Sequence, residues 1–253
     1  MNLRILLLIV IVTAAAGMSI WMALVWSANG GQLWATALGP VLLTLYLAVR
    51  WRKGREMMSS EKQNRILLIA CGALAREIMA LKKANGWDHM DLQCLPANLH
   101  LWPDRITGAV EAAVIENRDA YGGIFVVYAD CGTGGTLKAK CAELGVEMVA
   151  GPHCYSFYEG NEAFAARDEC TAFYLTDFLV RQFDGFVWKP MGFDRHPELI
   201  PMMFGNYEKL VYQAQTEDPA LDAKAEDCAR RLGLKYERRF TGYGGLKSTL
   251  AAL

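Results

Sequence analysis

The hydrophobic pattern of this chain changes character once. From Ile5 to Val49, 45 consecutive positions carry no Asp, Glu, Lys, Arg or His. That is too long for one helical crossing of a hydrocarbon core about 30 Å thick. The polar, glycine-rich segment Ser27-Ala28-Asn29-Gly30-Gly31-Gln32 divides it. The pattern predicts two transmembrane spans, residues 5–26 and 33–49, joined as a hairpin, with Pro40 tolerated inside the second. Trp26 and Trp34 flank the turn and Trp51 follows the second span, which are interfacial positions for amphipathic rings. Arg4 precedes the first span, and Arg50, Arg52, Lys53 and Arg55 follow the second. The positive-inside rule then puts both termini in the cytoplasm and the chain in the inner (cytoplasmic) membrane. A cleaved signal peptide is the rival reading, but the apolar run exceeds the roughly 7–15 residues of such a signal and a second run follows at once. A translation start at Met57 or Met58 is a third reading, in which the hairpin is an addition to a complete soluble domain.

Beyond this segment the apolar runs become short. Arg65–Gly72 reads as a buried parallel strand ended by glycine, and Ala73–Lys83 as a helix. Asp91–Leu95 is expected as a second strand. Pro103–Glu116 reads as a helix, with Ile106, Val110, Ala113 and Val114 at helical spacing. Gly123–Tyr128 is the clearest strand, Thr136–Leu144 a helix, and Val146–Val149 a fourth strand closed by Gly151-Pro152. Residues 155–231 read as mainly helical, broken at Pro190, Pro197 and Pro219, with a last strand over Leu234–Phe240. Strand–helix alternation implies an α/β fold: a mostly parallel sheet with helices on both faces, preceded by the two-helix transmembrane hairpin. The expected division is a hairpin with its basic flank over residues 1–57 and a cytoplasmic α/β domain over 58–253.

Composition sharpens this. The chain has 253 residues, is 53% hydrophobic, and has a formal net charge of −1. Residues 51–253 hold 24 basic and 27 acidic side chains, so the domain is mildly acidic. A nucleic-acid binder working by bulk charge is ruled out by the missing basic excess. The apolar content rules out intrinsic disorder, and about 195 residues are enough to bury a core.

In parallel sheets ligands bind beyond the carboxyl ends of the strands. Three of the seven cysteines fall there: Cys71 after the first strand, Cys131 after the strongest, and Cys154 after the fourth. His153 and His100 are placed to join them. Neighbouring strand ends lie about 4.8 Å apart, so these five residues are candidate ligands of one metal. Thiolate with imidazole suits zinc first, with an iron–sulfur cluster or a corrinoid as alternatives. Cys94, Cys141, Cys170 and Cys228 read as packing residues. No C-x-x-C pair occurs, which weakens zinc-ribbon and thioredoxin-like readings.

Gly132-Thr133-Gly134-Gly135 joins a strand to a helix and is a candidate ligand-binding loop for an anionic group, although it is neither a Walker loop nor a dinucleotide fingerprint. Gly242-Tyr243-Gly244-Gly245 repeats the spacing and reads as a tight turn. Cys131 is a candidate nucleophile if the following helix activates it. Glu77, on the first helix, is a second catalytic candidate, set against its being an exposed helix glutamate. Asp177, in an apolar stretch, needs a partner, and Arg181 is four residues on.

These segments resemble the family catalogued as domain of unknown function 1638. The resemblance rests on Ile69–Ile78, Leu95–His100, Tyr128–Gly135, Gly151–Tyr155 and Phe173–Phe178, and covers residues 65 to about 250, outside the hairpin. It implies an association with corrinoid-dependent methyl transfer, with corrinoid or methyltransferase proteins as partners. Three expectations follow. One is a membrane-tethered metal protein acting in or beside one-carbon methyl transfer. The others are a non-catalytic small-ligand or scaffold module at the membrane, and a cysteine-nucleophile enzyme.

Overall fold

The computed structural model describes residues 17, 43–53 and 64–253. The chain divides into two compact units, Met1–Ser59 and Ser60–Leu253. In the first, residues 43–53 are helical, and Leu43, Leu47, Val49 and Trp51 are exposed. Apart from Gly17 and residues 43–49, the expected spans 5–26 and 33–49 lie outside the described residues. Among the described residues no helix is long and apolar enough to cross a membrane.

The second unit is α/β, with every strand parallel. Strands β1 (Ile66–Cys71), β2 (Met90–Leu95), β3 (Gly123–Val127) and β4 (Glu147–Met148) form one sheet in the order β2-β1-β3-β4. Leu68 of β1 sits between Leu92 of β2 and Phe125 of β3. Leu67 to Cys71 are all buried, although successive side chains point to opposite faces. Both faces of the central strand are therefore covered, which accounts for its unbroken apolar run. The covering helices are α1 (Ala75–Asn85), α2 (Ile106–Asn117) and α3 (Thr136–Leu144), through Ile78, Val110 and Leu137 among others.

The expectation of one sheet followed by a mainly helical segment is corrected here. Residues 154–232 contain helices α4 (Cys154–Glu159), α5 (Asn161–Arg167), α6 (Asp177–Arg181), α7 (Leu199–Phe204) and α8 (Pro219–Leu232). They also contain strands β5 (Ala172–Thr176) and β6 (Lys209–Ala214). With β7 (Lys235–Phe240) these form a second parallel sheet, β5-β6-β7. It has its own core, in which Leu210 and Tyr212 of β6 pack with Leu221, Ala225 and Cys228 of α8. Helix α8 carries its own boundaries: Asp218 accepts a hydrogen bond from the Ala220 N–H, Pro219 opens the first turn, and Gly233 closes it at φ 73°. The last helix, α9 (Gly244–Ala251), returns to the first core through Leu246 and Leu250.

Candidate functional site

The carboxyl edge of the first sheet gathers most of the expected chemistry. Cys71 ends β1 almost fully buried, and its Sγ accepts a 3.4 Å hydrogen bond from the Ala73 N–H. A short helical turn after β2, Ala97–Leu101, carries His100, whose Nδ1 lies 3.5 Å from Cys71 Sγ. The segments after β3 and β4 are laced together, with Asp130 N–H donating to Gly151 O (3.0 Å) and Cys131 N–H to Pro152 O (2.8 Å). That lacing holds Cys131 in the left-handed region, at φ 50°, beside the start of α4, where Cys154 is the first residue. The ring of Tyr128, just past β3, stacks against His100 at 6.4 Å.

Cys71, Cys131, Cys154, His100, Tyr128 and Phe157 share the wall of one small cavity of about 10 Å³. That is room for a single atom-sized occupant. The Tyr128 hydroxyl is buried beside the Cys71 thiol, its one polar neighbour within hydrogen-bonding range among the described residues. Burial pushes the Cys71 thiol up to about 12 and Cys131 up to about 11. Cys154 is raised well above the ordinary thiol range by burial, with Cys131 and Cys71 adding to it. Burial lowers His100, so its imidazole is neutral near pH 7. Among the described residues no three His, Cys, Asp or Glu side chains stand ready-made as a metal-holding group. The expected ligands Cys71, Cys131, Cys154 and His100 share a cavity wall without forming such a group.

The other expected site residues separate from this cluster. The His153 ring packs 5.1 Å from Tyr155 and 5.1 Å from Phe164, in the wall of a different hollow of about 430 Å³ that also holds Glu169 and Tyr174. It does not line the thiol cavity. The Gly132–Gly135 loop already carries its own anion. The Asp130 carboxylate accepts from the Thr133 hydroxyl (2.7 Å), the Gly135 N–H (2.7 Å) and the Gly134 N–H (3.1 Å). These bonds, the Thr133 hydroxyl first, hold the Asp130 carboxyl below its usual range. The donors expected to face a ligand are thus taken up within the turn. Cys131 precedes the first residue of α3 by five positions.

Glu77 is not an exposed helix residue. It is 4% exposed, and its Oε2 is buried without a hydrogen-bond partner. Burial raises its pKa; Asp177 raises it further and Arg181 opposes the rise. Asp177 is fully buried and well partnered: Tyr212 OH (2.7 Å), Gln215 N–H (2.9 Å) and Thr216 Oγ1 (2.5 Å) donate to it, with Arg181 at 3.4 Å. Cys141 and Cys228 are buried as expected, whereas Cys94 and Cys170 are exposed.

Gly244 and Gly245 have a packing role. A Cβ on Gly244 would lie 1.8 Å from the Tyr158 carbonyl oxygen, and one on Gly245 would lie 2.6 Å from that of Phe157. The two glycines let α9 rest directly on the backbone of α4, the helix that Cys154 opens. Tyr128 and Phe157 are wall residues that the sequence reading did not single out. The one available signal was Tyr128's place between the strongest strand and Asp130-Cys131.

The protein is thus a parallel α/β domain with a thiol-lined cavity at its strand ends. The family described as "Protein of unknown function (DUF1638)" matches residues 94–250, more than half of the chain, and the chain belongs to it. The match begins at Cys94, so β1 and Cys71 lie outside it. No curated protein and no solved structure matches the chain.

Proposed function

We propose that the α/β domain holds one soft metal ion, zinc in the first place, on Cys71, Cys131, Cys154 and His100. The observation that carries this reading is the convergence of three thiols and a neutral imidazole on one atom-sized cavity. The donor set is that of a Cys₃His site, and a neutral imidazole is the ligating form. In a tetrahedral zinc site, sulfur and nitrogen ligands stand about 3.5 Å apart, which is the Cys71–His100 spacing. The Tyr128 hydroxyl beside Cys71 gives the site a donor toward a metal-bound thiolate. A cavity of about 10 Å³ favours a single ion over an iron–sulfur cluster or a corrin ring.

Zinc bound by thiolates suits the activation of sulfur nucleophiles, so we assign the site to alkyl transfer in or beside one-carbon metabolism. Corrinoid or methyltransferase proteins are the partners this implies. The 45 uncharged residues from Ile5 to Val49 support a membrane tether with the domain on the cytoplasmic side. A cysteine-nucleophile enzyme is disfavoured, because burial raises all three thiols.

Zinc titration against a chromophoric competing chelator tests the reading. The full-length chain is expected to bind one zinc. Cys131→Ser should weaken binding more than about 100-fold, and Cys141→Ser should leave it unchanged. Equal affinity in all three proteins would refute the assignment.

A further inference from the structure

The thiol cavity adjoins a larger chamber of about 220 Å³, which shares Ala73, Leu74, His100 and Cys154 with it. The chamber lies where the carboxyl edges of the two sheets meet. Ala73 and Leu74 follow β1, His100 follows β2, and Thr176 and Phe178 mark the end of β5. Its far side is apolar, formed by Phe178, Leu179, Phe186 and Met191. Among the described residues, no Asp, Glu, Lys or Arg lines it.

We propose that this chamber is the substrate pocket of the thiol site, and that its substrate is a short-chain alkanethiol without an ionised group. Three features select that class. The volume is below the roughly 300 Å³ at which drug-sized pockets begin, so the ligand is small. A carboxylate, phosphate or ammonium inside would lack a countercharge and would lose its hydration without compensation. The ligand end that reaches His100 and Cys154 meets the proposed zinc–thiolate centre, which prefers sulfur. The third feature rests on the metal reading, while the first two stand on the chamber alone.

Ligand-observed NMR on the full-length chain tests the pocket with three probes: 1-propanethiol, 1-propanol and 3-mercaptopropionate. Propanethiol should bind at least about tenfold more tightly than 3-mercaptopropionate, equivalent to about 1.4 kcal/mol. Leu179→Trp fills the chamber and should abolish propanethiol binding while zinc content stays unchanged. Met191→Trp repeats the test at a second wall position in case the first variant does not fold. Binding of 3-mercaptopropionate as tight as that of propanethiol would overturn the proposal, as would undiminished propanethiol binding in a folded tryptophan variant. Equal binding of propanethiol and propanol, both lost in the tryptophan variants, would support the uncharged pocket and overturn the sulfur preference taken from the metal reading.

Discussion

The Cys71 sulfur stands 3.5 Å from His100 Nδ1, although the two residues are 29 positions apart in the chain. Parallel pairing of β1 with β2 brings them together: Cys71 is in register with Leu95, and the turn after Leu95 swings His100 back over the strand end. At this spacing a protonated Cys71 thiol can donate to the imidazole. In the proposed zinc site the same spacing would be one edge of a tetrahedral ligand set.

Burial sets the reactivity of Cys131 in the metal-free chain. With the thiol pushed up to about 11, alkylation by iodoacetamide should accelerate steadily from pH 7 to beyond pH 10. A rate that levels off near pH 7 would instead indicate an activated nucleophile and revive the cysteine-enzyme reading.

Glu77 should leave a signature in the pH dependence of stability. Its folded pKa is raised from 4.5, first by burial and then by Asp177. The folded state therefore holds the proton at a pH where the unfolded state has released it. The contribution is fully present below the unfolded value and is lost as pH rises through the folded one. Glu77→Gln keeps a neutral side chain at every pH. The difference in Tm between this variant and the parent should thus move in the variant's favour between pH 4.5 and pH 8. Thermal denaturation across that range checks this, and a difference independent of pH would show that Glu77 ionises normally.

The contact of α9 with α4 predicts a contrast between two glycines. Gly244→Ala forces a Cβ against the Tyr158 carbonyl and should cost about 2–4 kcal/mol. Gly134 has φ +63° but open space around its Cβ position, so Gly134→Ala should cost only about 1 kcal/mol of backbone strain. Urea denaturation of the two variants decides the ranking. Equal losses would mean that the close approach of the two helices is not tight in solution.

Much of the first sheet was legible in the sequence because its strands are punctuated. Gly72 closes β1, and Gly122-Gly123 precedes the apolar run of β3. Strand β5 of the second sheet was hidden by the lack of such a break. Ala172–Thr176 runs into the helix at Asp177 with no intervening glycine or proline, so its apolar positions merged with those of the helix. Lys209–Ala214 is a six-residue strand whose polar Gln213 is fully buried, and short apolar runs of that kind do not distinguish strand from helix. At the site, strand-end position brought Cys71, Cys131, Cys154 and His100 to one cavity wall. His153 lies apart from it, because α4 begins one residue later and the His153 ring packs between Tyr155 and Phe164. In the glycine loop Asp130, inside the same turn, takes up amides of Gly134 and Gly135, which the sequence pattern did not signal.

The proposed metal centre is the shared cavity at the strand ends, and elemental analysis of the full-length chain, purified anaerobically without added metal or chelator, decides it. Close to one equivalent of zinc per chain is expected in the parent and less than about a tenth in Cys131→Ser. Less than a tenth of an equivalent of any metal in the parent would contradict it.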